Sequence, residues 1–210
     1  MEFGDDEIGQ SNDLDESSDI KVILLGESGV GKSSLINVSV GKPFKEQLDS
    51  NVSSSFVQKK FYKANKNYNL YIWDTAGQEK FRALTKLFNK KAKIVIFVYA
   101  IDSKFSFESL KSYWVSLGKE ILGDEAIYGL VGNKSDLYKK EQVPDIDASN
   151  YAEEIGAKFA LTSAKKNKEG FSSYLEELLD DYIESKKQIS LDASFEINKD
   201  KHKKRKLKCC

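Results

Sequence analysis

The stretch Gly26-Glu27-Ser28-Gly29-Val30-Gly31-Lys32-Ser33 constrains this chain more than any other. It follows the apolar run Lys21–Leu25 (KVILL) and precedes a helical segment, Lys32–Val40, so it turns a buried strand into a helix. The spacing G-x-x-x-x-G-K-S in that context is a phosphate-cradling loop. Its glycines let backbone N–H groups point inward at the positive end of the helix dipole. Lys32 brings charge to the outer phosphates, and the Ser33 hydroxyl reaches Mg²⁺. This motif points to a nucleotide phosphate site and says nothing about the base.

A loop of this kind needs a parallel sheet behind it, and the rest of the chain supplies one. Ile94–Ala100 (IVIFVYA) and Ile127–Val131 read as buried strands, and Lys158–Leu161 as a short one. Phe56–Tyr62 and Tyr68–Trp73 bracket Ala64-Asn65-Lys66-Asn67 and predict a hairpin with a longer loop. Phe107, Leu110, Trp114, Leu117 and Ile121 recur at three- and four-residue steps, the signature of one helix face. Ala148–Ile155 reads as a short helix, and Phe171 through Ile183 as a final amphipathic one. Strands alternating with helices imply a mostly parallel sheet covered on both faces. The expected organisation is an acidic, disordered extension over 1–19, one α/β domain over 20–187, and a flexible basic tail over 188–210.

Composition removes whole classes of chemistry. The single histidine is His202 and the only cysteines are Cys209 and Cys210, which excludes histidine triads, disulfide frameworks and internal thiol nucleophiles. Arginine occurs only at Arg82 and Arg205, too few for an arginine clamp. The 33 basic and 33 acidic residues cancel, but unevenly along the chain. Residues 1–19 carry eight acids and no base, whereas 201–208 read Lys-His-Lys-Lys-Arg-Lys-Leu-Lys. That asymmetry suggests a solvating arm and a basic interaction tail. No apolar run approaches the roughly 20 residues that span a bilayer. An acidic start with Met-Glu fits neither a secretory signal nor N-myristoylation, so a cytosolic protein is expected.

The base is read from two further segments. Asn133-Lys134-Ser135-Asp136 follows the third buried strand, and Ser163-Ala164-Lys165 follows the last. A carboxylate such as Asp136 accepts from guanine N1–H and its exocyclic amine; adenine would leave that acceptor unpaired. Placed at the carboxyl ends of parallel strands, these segments select guanine. Trp73-Asp74-Thr75-Ala76-Gly77-Gln78-Glu79 closes the hairpin's second strand. There Asp74 is placed to hold Mg²⁺ through water, Gly77 to present an N–H to a γ-phosphate, and Gln78 to orient the attacking water.

With GESGVGKS, WDTAGQE, NKSD and SAK in this order, the chain resembles a Rab-type small GTPase of the Ras superfamily over roughly Ile20 to Ile183. The resemblance implies a P-loop α/β fold of six strands, one of them antiparallel, with five helices on the two faces. It implies two switch segments, about Phe44–Phe56 and Gly77–Lys90. It also implies a GTP/GDP site formed by Ser28, Gly29, Val30, Gly31, Lys32, Ser33, Ser34, Phe44, Asn51, Gly77, Asn133, Lys134, Asp136, Ser163, Ala164 and Lys165. Mg²⁺ would sit on Ser33, Asn51 and Asp74, with Gln78 the catalytic residue. Phe56, Trp73 and Phe88 match an exposed aromatic triad that effectors touch, although side chains of this type also serve as core. The terminal Cys209-Cys210 pair implies prenylation, hence a place on the cytosolic face of intracellular membranes with a cytosolic pool. The expected partners are effectors, an exchange factor, a GTPase-activating protein and a prenyl-binding escort of the GDI type. No nucleic acid partner is expected, and the chain is expected to be a monomer.

The sequence departs from that pattern in four places, one of them Phe88-Asn89-Lys90-Lys91-Ala92 where relatives usually have Tyr-Tyr-Arg-Gly-Ala. Asn51 stands where relatives carry the first-switch threonine, Val52-Ser53-Ser54-Ser55 replaces an Ile-Gly-Val-Asp type stretch, and the fourth strand ends at Ala100 where relatives have aspartate. Two rival readings follow: a GTP-binding module with impaired hydrolysis, favoured by Asn51, and a P-loop ATPase or kinase, disfavoured by Asn133 and Asp136.

Overall fold

The computed structural model describes residues 18–46, 56–74 and 91–206. Six strands form one sheet: β1 (Ser18–Leu25), β2 (Phe56–Lys63), β3 (Lys66–Trp73), β4 (Ile94–Ala100), β5 (Ile127–Asn133) and β6 (Ala157–Leu161), in the order β2-β3-β1-β4-β5-β6. Among the pairings of these described strands, β2–β3 is antiparallel and the other four are parallel. The helices are α1 (Lys32–Ser39), α2 (Lys104–Ser109), α3 (Val115–Leu122), α4 (Asp145–Glu154) and α5 (Gly170–Lys206). A π-helical turn, Leu110–Trp114, joins α2 to α3 without a break.

Alternation along β4 explains why helices cover both faces. All seven of its residues are buried. Ile94, Ile96, Val98 and Ala100 join a core with α1 and α5, while Val95, Phe97 and Tyr99 join another with α2, α3 and α4. A strand apolar on both sides is stable only between two helical layers. On α5, Phe171, Tyr174, Leu175, Leu178 and Leu179 are buried at three- and four-residue steps, the stripe expected from the sequence.

The hairpin is tighter than expected. Lys63 pairs with Lys66, leaving a two-residue turn, Ala64-Asn65, with φ of 49° and 60°. Two central residues in the left-handed region match the twist of the strands they join. Lys66 and Asn67 suggest loop because they are polar, but in β3 they pair with Lys63 and Tyr62 of the edge strand β2, ahead of Tyr68 where pairing with β1 begins. Strand β2 alternates between exposed and half-buried positions. Lys63 ties that edge to α5 through Glu176 at 2.8 Å and Asp180 at 3.1 Å.

The strand expected from Lys21 begins at Ser18, inside the extension assigned to 1–19. The last helix passes the boundary placed at 187 and runs to Lys206, so the segment expected to be a flexible tail from 188 has helical backbone that far. Between Phe171 and Lys206 the chain has neither glycine nor proline to stop it.

Candidate functional site

The loop Gly26–Gly31 leaves β1 where the strand order reverses, between β3 on one side and β4 on the other. Open α/β sheets bind ligands in the crevice at such a switch point. Close approach decides the first glycine: a Cβ on Gly26 would lie 2.1 Å from the Val98 carbonyl oxygen of β4. Gly31, with φ of +98°, opens α1, and a Cβ there would meet Asn133 Nδ2 at 2.3 Å.

Lys32 is 4% exposed, and its Nζ donates to the carbonyls of Gly26 and Glu27, both at 2.8 Å. A buried ammonium held by its own loop closes that loop into a ring and carries positive charge to its floor. Ser33 and Ser34 follow in the first turn of α1, half-buried, and Ser28 and Gly29 are exposed at the rim.

The other strand ends converge on the same crevice. Asn133, at the end of β5 and 2% exposed, donates from Nδ2 to the Val30 carbonyl at 2.8 Å and accepts at Oδ1 from the Ala164 N–H at 3.3 Å. One side chain therefore joins three loops. Asp136 accepts from Ser163 Oγ at 2.5 Å, and Ser163 Oγ accepts from the Lys166 N–H at 3.0 Å. The Ser135 N–H donates to the Thr162 carbonyl at 2.9 Å. Lys134 has φ of +65°, the backward turn that lets the chain lead from β5 into the 3₁₀ segment Ser135–Lys140.

Charge pairs rim the site. Lys165 Nζ meets Glu46 at 2.8 Å, raising the lysine's pKa and lowering the carboxyl's through their mutual hydrogen bond. Lys134 Nζ lies 3.8 Å from Asp102, just beyond the end of β4. The half-buried Phe44 ring packs against the core on the α1 and α5 side. Asp74 follows β3, whose Trp73 is in register with Ile23 of β1, so it leaves the sheet at the same end as the loop.

Phe56 is 49% exposed and packs against Trp73 with centroids 5.1 Å apart and the rings tilted by 32°, and Lys21 Nζ lies 4.6 Å from the centre of the Trp73 ring. Two members of the aromatic triad thus form one surface. Asn51, Gly77, Gln78, Phe88, Cys209 and Cys210 lie outside the described residues.

Sequence reading passed over Glu27. It fills a variable position of the loop motif, yet its carboxylate accepts from Ser109 Oγ and from Trp114 Nε1, the latter at 3.1 Å. Nothing local signals this, because both donors lie more than 80 residues away. Asp102, whose partner is Lys134, and Glu46, whose partner is Lys165, were missed because each pairs with a residue from another strand end rather than from its own segment.

The arrangement suits a triphosphate and a hard cation. The glycine turn leaves backbone and a buried ammonium at the floor, and the nearby oxygen donors, the Ser33 hydroxyl and the Asp74 carboxylate, are of the type Mg²⁺ prefers. A glycine turn between strand and helix, closed by its own lysine at a switch point, defines the P-loop class of α/β proteins. The Ras family model matches residues 21–184. Ras-related protein Rab-21 of Bos taurus is 43% identical over 148 residues, which cover 70% of this chain and 66% of that protein, slightly less than two thirds of its length. Rab-21 of Geodia cydonium is 40% identical over 148 residues, covering 70% of this chain and 64% of that one. Rab-31 of Rattus norvegicus is 39% identical over 147 residues, covering 70% and 75%. The chain belongs to the Ras family of small GTPases, in its Rab branch.

Proposed function

We propose that the chain is a Rab-like switch that binds GTP, engages effectors, hydrolyses GTP slowly to GDP and regulates membrane trafficking. One observation carries the reading: Asn133 holds the phosphate loop through Val30 and the Ser163–Lys165 loop through Ala164. A nucleotide can then be gripped at both ends by elements that are already tied together.

In this reading Lys32 and the N–H groups of Ser28–Ser34 hold the phosphates, and Asp136 accepts from guanine N1–H and its amine. Phe44 and Lys134 flank the base, and Ala164 and Lys165 close it from the far side. Ser33 and Asp74, with Asn51 from the first switch, would hold Mg²⁺, which would supply charge neutralisation for the transferring phosphoryl group. Gln78 orients a water for in-line attack on the γ-phosphorus. The bond from the γ-phosphorus to the β–γ bridging oxygen breaks and that oxygen leaves with GDP, while the water oxygen stays on the phosphate and its proton passes to a phosphate oxygen. Arg82 and Arg205 are the only arginines, and neither matches an arginine finger supplied in cis. Unaided turnover is accordingly set near 10⁻⁴ s⁻¹, on the order of related finger-less enzymes, with about 10⁵-fold available from an activating protein.

Phe56 and Trp73 supply an aromatic surface for effectors beside the switches, with Phe88 its third member. Cys209 and Cys210 are prenylated, and the five cationic side chains between Lys203 and Lys208 each add about 1 kcal/mol at an anionic leaflet. Among the described residues no helix is long and apolar enough to cross a membrane, and two lipid chains with a basic segment hold a protein stably at the surface. An exchange factor, an activating protein and a prenyl-binding escort complete the cycle.

Denaturing the purified chain and identifying the released nucleotide tests the site. Guanine nucleotide is expected, and Asp136→Ala should abolish the preference for GDP over ADP. Bound adenine nucleotide refutes the assignment. The second reading, a GTP-binding module with impaired hydrolysis, is favoured by Asn51. Its carboxamide oxygen lies one bond further from the backbone than a threonine hydroxyl, and Mg²⁺ tolerates little departure from octahedral geometry. Single-turnover hydrolysis separates the two.

A further inference from the structure

We infer that Glu27 is a positioning residue for the phosphate loop, and that the π-helical turn Leu110–Trp114 exists to hold its carboxylate away from the nucleotide's phosphates. This rests on the phosphate-site reading above and adds to it a contact with the second helical layer. Glu27 is bonded in two directions. Its backbone carbonyl accepts from Lys32 Nζ at 2.8 Å, and its carboxylate Oε1 accepts from both Ser109 Oγ and Trp114 Nε1.

The two donors are five residues apart. In a regular α-helix such residues point about 140° from one another and cannot share an acceptor oxygen. Here the Val115 N–H bonds to the Leu110 carbonyl, an i to i+5 bond. That wider turn absorbs one residue and brings both donors to one side. Trp114 is 3% exposed, and its indole N–H is donor-only, so burial demands an acceptor. Glu27 provides it. The π turn and the loop carboxylate therefore satisfy one another across the crevice wall.

A carboxylate in a loop built for polyphosphate is a liability, because like charges at short range in a partly buried site repel strongly. Two charge-assisted hydrogen bonds anchor it toward α2 and α3 instead. The anchored side chain also fixes the carbonyl that Lys32 uses, so the loop keeps its shape whether or not phosphate is present. Releasing the carboxylate lets it swing toward the phosphates and loosens that carbonyl.

The test is a double-mutant cycle read by release of a fluorescent GDP analogue from the full chain. Ser109→Ala should speed release about tenfold, the effect of losing one hydrogen bond to a charged acceptor. Ser109→Thr, which keeps the hydroxyl, should restore slow release; this also separates the lost bond from general damage to the helix. Combining Ser109→Ala with Glu27→Gln removes the repulsive charge, so the effect of losing the hydroxyl should shrink at least threefold in the glutamine background. The inference is overturned if Ser109→Ala leaves release within twofold of the parent, or if its effect is undiminished beside Glu27→Gln. A parent chain that fails to retain the GDP analogue overturns the phosphate-site reading and this inference together.

Discussion

Replacing Asn133 with alanine should cost far more than the loss of one exposed amide. The side chain is 2% exposed and serves two backbone groups that are themselves buried, the carbonyl of Val30 (2% exposed) and the N–H of Ala164 (3% exposed). Truncation leaves both unpaired. Each buried orphan costs about 1–3 kcal/mol, so about 2–6 kcal/mol is expected, with about 3 kcal/mol as the working value if a water enters the vacated space. With a urea m-value of about 2 kcal/mol/M, the midpoint should fall by about 1.5 M. Urea unfolding of parent and variant at one fixed free GDP concentration measures this, with the GDP Kd determined separately so that the linkage contribution RT ln(1 + [L]/Kd) is subtracted. Asn133→Asp sharpens the test. It keeps the acceptor for Ala164 but sets a carboxylate against the Val30 carbonyl. Burial raises that carboxyl's pKa, so the variant should be least stable at neutral pH and recover in part as falling pH lets it protonate and donate. A corrected midpoint shift below about 0.3 M for Asn133→Ala would refute the claim that this residue ties the loops together.

Other substitutions bear on the glycine loop, on a buried tyrosine and on the first switch. Gly26→Ala places a Cβ 2.1 Å from a backbone oxygen and should destabilise by about 3 kcal/mol. Gly29→Ala meets nothing within 4 Å and should cost only about 1 kcal/mol for its positive φ; thermal melting that ranks the two equally would contradict the close-approach argument. Tyr174 donates to the Lys158 carbonyl at 2.6 Å, and burial pushes its pKa well above the usual tyrosine value. Its neutral form therefore stabilises the fold below the unfolded pKa near 10, and that stability is lost as pH rises beyond it. Tyr174→Phe should be about 1 kcal/mol less stable at pH 7 yet lose stability less steeply above pH 10, as melting between pH 7 and 11 reads out. Asn51→Thr should raise activator-stimulated hydrolysis and effector affinity while leaving GDP affinity nearly unchanged; if both quantities stay put, asparagine is a competent replacement.

The parts legible from the sequence are those governed by neighbours in the chain. The phosphate loop declared itself because Gly26, Gly31, Lys32 and Ser33 act within one strand–turn–helix unit, and backbone freedom at a glycine is a local property. The buried strands and the stripe on α5 were equally local, since periods of two and 3.6 residues follow from backbone geometry alone. The hairpin shows the limit of that reading. Lys66 and Asn67 look like loop until β3 is known to start ahead of its pairing with β1 and to meet only the edge strand β2 there, where polar residues are tolerated. The end of the last helix is a second such case: the apolar stripe stops at Ile183 and composition marks a flexible tail from 188, whereas the helical backbone runs to Lys206 through a segment without glycine or proline. Contacts between distant segments were decided by tertiary structure alone. Asn133 meets Val30 across 103 residues, and Glu27 meets Ser109 and Trp114 across 82 and 87. No periodicity encodes such a pair: the sheet order sets loops beside one another, and burial then obliges their polar groups to find partners. Spacing along the chain marked Gly26, Gly31, Lys32, Asn133 and Ser163 as candidates for one site, whereas packing of the two helical layers against the sheet decided which side chains hold one another in place and brought Glu27 among them.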